Sequence, residues 1–252
     1  MLLTPAKGLR PDGAGATVPL FLIPDALDTA MPEFDAVVRA LWRGRSPYDG
    51  FVAERFKPDA QGWNSEHPFL ADTLRRVRPG LVIEIGVWKG GSTIHMASIL
   101  RDLGIDGVVL AVDTWLGSWE HWQQDEWFPS LLCQNGYPSM YYTFLANVVA
   151  AGTQGHVLPL PQDSANAAFV VLYRGLRPQV VHIDAGHDYE AVMADLKRWW
   201  PLLPPGGVLI ADDYDPDGKV WPTVRDAVDD FLRETPHRDF EALPYKARFT
   251  KV

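Results

Sequence analysis

The stretch Leu81 to Leu100, LVIEIGVWKGGSTIHMASIL, constrains the fold more than any other part of the chain. A short apolar-rich run ending on Glu84 and Ile85 reads as a buried strand, Gly86, Gly90 and Gly91 make a turn, and a helical run starts at Ser92. Strand, glycine turn and helix in that order belong to an open parallel sheet. The unit places backbone N–H groups and a helix N-terminus at the carboxyl edge of the strand, where ligands bind. Val87 and Trp88 follow Gly86, so the G-x-G-x-x-G of a nicotinamide-binding turn is absent. Glu84, two positions before the first glycine, would repel a pyrophosphate and suits a ligand ammonium group. A tight turn with no ligand is the alternative reading of this stretch alone.

The 252 residues suit one α/β domain with an extra segment. A net charge of -9, with no block of lysine or arginine, argues against a nucleic-acid backbone as partner. Cys133 is the only cysteine, which excludes an internal disulfide and a cysteine-based zinc site and fits a reducing cytoplasm. The apolar run Val18 to Ile23 is short and carries Pro19, so it fails as a membrane span and as a signal-peptide core. A soluble, cytoplasmic protein is expected, and a homo-oligomer is left open.

Residues 1 to about 25 are rich in proline and glycine and read as an extended arm. Pro32 to Trp42 reads as a short helix, residues 44–62 as loop, and Phe69 to Val77 as a helix ended by Pro79-Gly80. The boundaries expected are an N-terminal arm and helical extension over 1–62 and a ligand-binding domain over 63–252. Val108 to Val112 is a second strand, and Asp113 at its tip, about 20 residues past the turn, stands where this architecture hydrogen-bonds ribose hydroxyls. A solvated strand-end aspartate is the alternative. Residues 115–151 then break the rhythm with Trp115, Trp119, Trp122, Trp127, Phe128, Tyr137, Tyr141, Tyr142 and Phe144. An aromatic lid that stacks on rings, a dimer interface and plain core all fit this insertion. His121 within it reads as structural.

Val157 to Leu160 is the third strand. Gln162 or Asp163 after it could meet an adenine edge, with Asp163 as a helix N-terminal partner as the alternative. Val180 to Ile183 and Val208 to Ala211 are further strands, and two short strand-like segments, Phe240 to Leu243 and Ala247 to Val252, close the pattern. These alternations predict an α/β, doubly wound, mostly parallel seven-stranded sheet with an antiparallel edge. His182 alternates inward and reads as core.

Asp184, Asp212 and Asp213 end two strands that should be neighbours. Three gathered carboxylates need a cation or protons to offset them, and hard oxygen donors point to Mg²⁺. One of Asp212 and Asp213 pointing to solvent is the alternative. A bound ion would acidify and orient an acceptor hydroxyl, and His187 or Asp184 could take its proton. His187 reads equally well as a structural residue.

The pattern E-x-G-x-x-x-G-x-S over Glu84 to Ser92, the strand-end Asp113, and the segments VHIDAGHDYEAVMADL and LLPPGGVLIADDY together resemble class I S-adenosylmethionine (SAM)-dependent methyltransferases. The similarity is to the branch of metal-dependent macrolide-sugar O-methyltransferases and cephalosporin hydroxylase-like relatives. It spans Trp63 through Tyr214. The resemblance implies a Rossmann-like fold that binds SAM through Glu84, Gly86, Gly90, Ser92, Asp113, Gln162 and Asp163, with Mg²⁺ on Asp184, Asp212 and Asp213. It implies an O-methyltransferase acting on a hydroxyl of a saccharide or glycosylated metabolite. His187 departs from the macrolide-sugar pattern and sits closer to the cephalosporin-type one. Methylation of a catechol or phenol, or a metal-dependent oxidoreductase, are the other activities considered. Against the second, His182 reads as core, which leaves His187 alone among these motifs where a two-histidine iron site would be expected.

Overall fold

The structure, a computed structural model, describes residues 33–252. The N-terminal arm expected over residues 1 to about 25 lies outside the described residues. Seven strands form one sheet: β1 (Leu81–Ile85), β2 (Val108–Asp113), β3 (Val157–Pro161), β4 (Val180–Ile183), β5 (Val208–Tyr214), β6 (His237–Leu243) and β7 (Tyr245–Lys251). Their order is β3-β2-β1-β4-β5-β7-β6, parallel through β5, with β7 antiparallel to both β5 and β6. The expected doubly wound sheet with an antiparallel edge is what forms.

Helices cover both faces, which is why the central strands read as near-continuous apolar runs. The helices are α1 (Glu33–Trp42), α2 (Pro68–Val77), α3 (Gly91–Asp102), the short α4 (Trp119–Gln123), α5 (Met140–Ala150), α6 (Ser164–Tyr173), α7 (Tyr189–Trp199) and α8 (Pro222–Glu234). Strand alternation divides the core in two. Leu81, Ile83 and Ile85 join Leu110, Ile183, Leu209 and the apolar sides of α1, α6, α7 and α8. Val82, Val109, Val180 and Ile210 join α2, α3 and α5 on the other face.

Two sequence expectations shift. Met140–Ala150 is the helix that crosses back from β2 to β3, with Phe144 and Val148 fully buried, so only residues 114–139 are extra to the α/β rhythm. Its aromatic content had disguised it as part of the insertion. The fifth strand also runs on past Ala211 through Asp212 and Asp213 to Tyr214, because β7 pairs with it there, with a bulge between Asp212 and Tyr214. No helix among the described residues is long and apolar enough to cross a membrane.

Candidate active site

The glycine turn and the end of β4 touch. Gly86 has φ +80°, and a Cβ built on it would stand 1.7 Å from the Asp184 carbonyl oxygen, so only glycine fits between β1 and the β4 loop. Gly90, at φ +91°, caps α3 and faces Phe144 of α5, whose ring would lie 2.8 Å from an added Cβ.

Asp113 lies under this turn. Its Oδ2 accepts the amides of Val87 (2.8 Å) and Trp88 (3.0 Å), and its Oδ1 accepts that of Trp115 (2.7 Å). The carboxylate therefore shapes the turn whether or not it also meets a ribose. A second tie crosses the turn's far side. Lys89 Nζ bonds Asp59 Oδ2 at 2.6 Å, and Asn147 donates to the carbonyls of Asp59 and Lys89 while accepting the Asp59 amide. Trp63, Trp88, His121 and Trp127 form an aromatic cluster, in which the Trp88 and His121 rings stack 4.3 Å apart and Trp63 meets Trp88 and Trp127 at a tilt. His121 also caps α4 through Ser118, in keeping with a structural histidine.

Glu84 faces inward. It is wholly buried, and its oxygens accept Ser92 Oγ (2.5 Å) and Thr93 Oγ1 and meet His182 Nδ1 at 3.0 Å. Sheet register explains the meeting, because Glu84 and His182 are directly paired neighbours on β1 and β4. His182 Nε2 continues the line to Asp212 Oδ2 at 3.3 Å, and Lys246 Nζ closes it on the same oxygen. His182 is thus inside, as alternation predicts, but it joins a buried polar chain and not the apolar core.

Gln162 and Asp163 stand apart from this centre. Asp163 caps α6, accepting the Asn166 amide at 2.9 Å, and that bond holds its carboxyl below the usual range. Gln162 lines an open groove of about 870 Å³ with Trp42, Asn166 and Phe169, beyond the end of β3.

At the ends of β4 and β5, ligand atoms of His182, Asp184 and Asp212 all lie within 4.8 Å of one another. The third carboxylate expected there, Asp213, has φ +57° at the bulge and turns to His187, with Oδ2 3.0 Å from Nε2. Burial and the nearby Asp212 push the Asp184 carboxyl well up. Burial opposes ionisation of Asp212 too, but His182 and Lys246 outweigh it and hold that carboxyl far below the usual range. A narrow cleft of about 10 Å³, lined by Asp184, Gly186, His187, Asp212 and Asp213, opens beside them. Its size suits about one water or ion.

His187 has its own surround. Burial lowers its affinity for a proton, yet the Asp213 bond and the charges of Asp213 and Glu120 outweigh that and raise its pKa. Glu120 Oε1, from the buried side of α4, lies 3.5 Å from Nδ1, longer than a good hydrogen bond. The Trp221 ring stacks on the imidazole at 4.1 Å. Sequence reasoning overlooked Lys246 and Trp221 and gave Glu120 no partner. Lys246 falls in the gap between the two strand-like segments read from the sequence, and nothing local marked any of the three.

Comparison with known proteins bears on the family and the fold. A family model described as a methyltransferase domain matches residues 83–214, just over half of the chain. A mycinamicin III 3''-O-methyltransferase from Micromonospora griseorubida is 29% identical over 174 residues, covering 64% of each chain. A rhamnosyl O-methyltransferase from Mycobacterium bovis (strain BCG / Pasteur 1173P2) is 24% identical over 156 residues, 62% of this chain and 52% of that one. The chain thus spans less than two thirds of the length of these curated relatives. Among solved structures, an O-methyltransferase from Bacillus cereus in complex with SAH superposes with a TM-score of 0.55 at 16% identity, covering 86% of this chain and 96% of that one. Strand order, glycine turn and family match converge: the chain belongs to the methyltransferase-domain family, with the class I fold.

Proposed function

We propose that this protein is a SAM-dependent O-methyltransferase that uses a divalent ion, Mg²⁺ by its oxygen donors, to methylate a hydroxyl of a saccharide or glycosylated small molecule. The observation that carries the reading is the contact of Gly86 with Asp184, which puts the cofactor-type turn directly against the carboxylate cluster. Methyl donor and acceptor hydroxyl need that adjacency, since transfer requires the oxygen in line with the methyl carbon. Sugar acceptors are favoured by the likeness to a mycinamicin III 3''-O-methyltransferase and a rhamnosyl O-methyltransferase.

Asp184, Asp212 and Asp213 all line the narrow, ion-sized cleft, and their oxygens are the donor chemistry a small hard cation takes. Such an ion, when bound, acidifies a coordinated hydroxyl near neutral pH. His187 is the group to receive the hydroxyl proton. Asp213 raises its proton affinity, and Trp221 and Thr223, whose Oγ1 donates to the His187 carbonyl at 2.6 Å, keep the ring and its loop in place. Asp184 is the alternative base. The Trp63, Trp88 and Trp127 cluster offers flat apolar surface of the kind that stacks on sugar rings.

Isothermal titration of S-adenosylhomocysteine into the purified protein tests the cofactor. A screen of glycosides and phenols for a mass gain of one methylene, with Mg²⁺ and with EDTA, tests acceptor and metal. Micromolar cofactor binding with metal-dependent glycoside methylation is expected. No cofactor binding by folded protein would overturn the reading, and phenol-only turnover would move the acceptor class.

A further inference from the structure

The carboxylates at the ends of β4 and β5 rest against a cation that the chain itself provides. Lys246 stands opposite Asp212 in the β5–β7 ladder, and paired residues project to the same face. Its side chain is fully buried. An ammonium group taken out of water needs a charged partner, and Lys246 Nζ reaches the Asp212 carboxylate and, at 3.3 Å, His182 Nε2. Asp212 is held at both oxygens, because its Oδ1 accepts the Asp213 amide at 2.8 Å. It has one orientation available.

We propose that Lys246 is the resident counter-ion of the Asp184–Asp212 pair: it orients Asp212 and sets how strongly the site attracts a divalent ion. The second half rests on the metal reading above; the first does not. With both carboxylates ionised, the pair carries two negative charges and Lys246 returns one. An incoming divalent ion meets the ammonium charge beside its carboxylate ligands, so its attraction is reduced. The lysine lets the strands assemble around close carboxylates before any metal arrives, at the expense of affinity for that metal. Lys246 acts through Asp212 and is a positioning residue.

The test compares the full chain with Lys246→Met, which keeps most of the unbranched stem without the charge, and Lys246→Arg, which keeps the charge. Mn²⁺ serves as probe, read by electron paramagnetic resonance, with melting temperature measured in EDTA and in Mn²⁺. Lys246→Met should bind Mn²⁺ at least about tenfold more tightly. It should melt lower in EDTA and recover part of the loss in Mn²⁺, while Lys246→Arg stays near the parent in Mn²⁺ affinity. Equal Mn²⁺ affinity in the parent and Lys246→Met would overturn the affinity role. If the parent binds no Mn²⁺, the metal reading fails, and the counter-ion role is read from Asp212→Asn/Lys246→Met in EDTA. That double variant should melt above Lys246→Met alone, including where the single variant does not fold; no recovery would overturn the pairing.

Discussion

Gly86 and Asp184 share one space: the carbonyl oxygen of the aspartate occupies the position that any side chain on the glycine would need. The backbone at Gly86 is also left-handed. Gly86→Ala therefore combines strain with a backbone clash, and a loss of at least about 3 kcal/mol in urea unfolding is expected. A loss under about 1 kcal/mol would mean the β1 turn and the β4 loop can separate freely.

Asp113 is predicted to be a builder of the cofactor turn. Replacing it with alanine leaves the amides of Val87, Trp88 and Trp115 without their acceptor. Stability should fall by about 2–3 kcal/mol, and S-adenosylhomocysteine affinity should fall with it. Calorimetric titration of the folded variant reads the second effect, and unchanged affinity would remove Asp113 from the ribose site.

The two neighbouring aspartates on β5 should separate in their effects. Asp212→Asn strips Lys246 of its buried partner and should destabilise by about 3–5 kcal/mol. Asp213→Asn, whose side chain is partly exposed beside His187, should keep the melting temperature and lose metal-dependent turnover. Full activity of Asp213→Asn in EDTA would sink the metal model.

His187→Ala should lower kcat by roughly 10²–10⁴-fold with a small change in KM for the acceptor, as for loss of a general base. An equal loss in KM alone would make the ring a wall of the site and nothing more.

Asp59 provides a pH-dependent prediction away from the carboxylate cluster. The Lys89 bond holds its carboxyl below the ordinary value. A depressed folded pKa means the tie adds stability above the unfolded value and loses it as pH falls through the folded one. Carboxyl carbon NMR should show Asp59 titrating below pH 3.8, the ordinary value, and moving back up towards it in Lys89→Met. With Asp59 about half exposed, the effect on overall stability should be small.

The strand–turn–helix unit and the strand ends were legible because each rests on local chemistry. Buried parallel strands must be apolar along their length, glycines must stand where backbones press together, and Asp184 and Asp113 fall where those runs stop. What could not be read depends on partners distant in sequence. Lys246 meets Asp212 across 34 positions, and Glu120 meets His187 from another segment altogether. Met140–Ala150 hid for a different reason: it is apolar nearly all round, so its helical period is faint beside the aromatic residues before it. Glu84 was legible as the acidic residue just before the turn, whereas its bond to His182, its neighbour on a strand nearly a hundred positions later, was not.

The insertion of β7 between β5 and β6 has a consequence for synthesis on the ribosome. The five parallel strands are all synthesised before Tyr245–Lys251, so the slot beside β5 is open until that last segment is delivered. During that interval Asp212 has no ammonium beside it and the β5 edge offers unpaired backbone groups to any passing strand. Arrival of β7 closes the edge and brings the ammonium to the aspartate in a single pairing event.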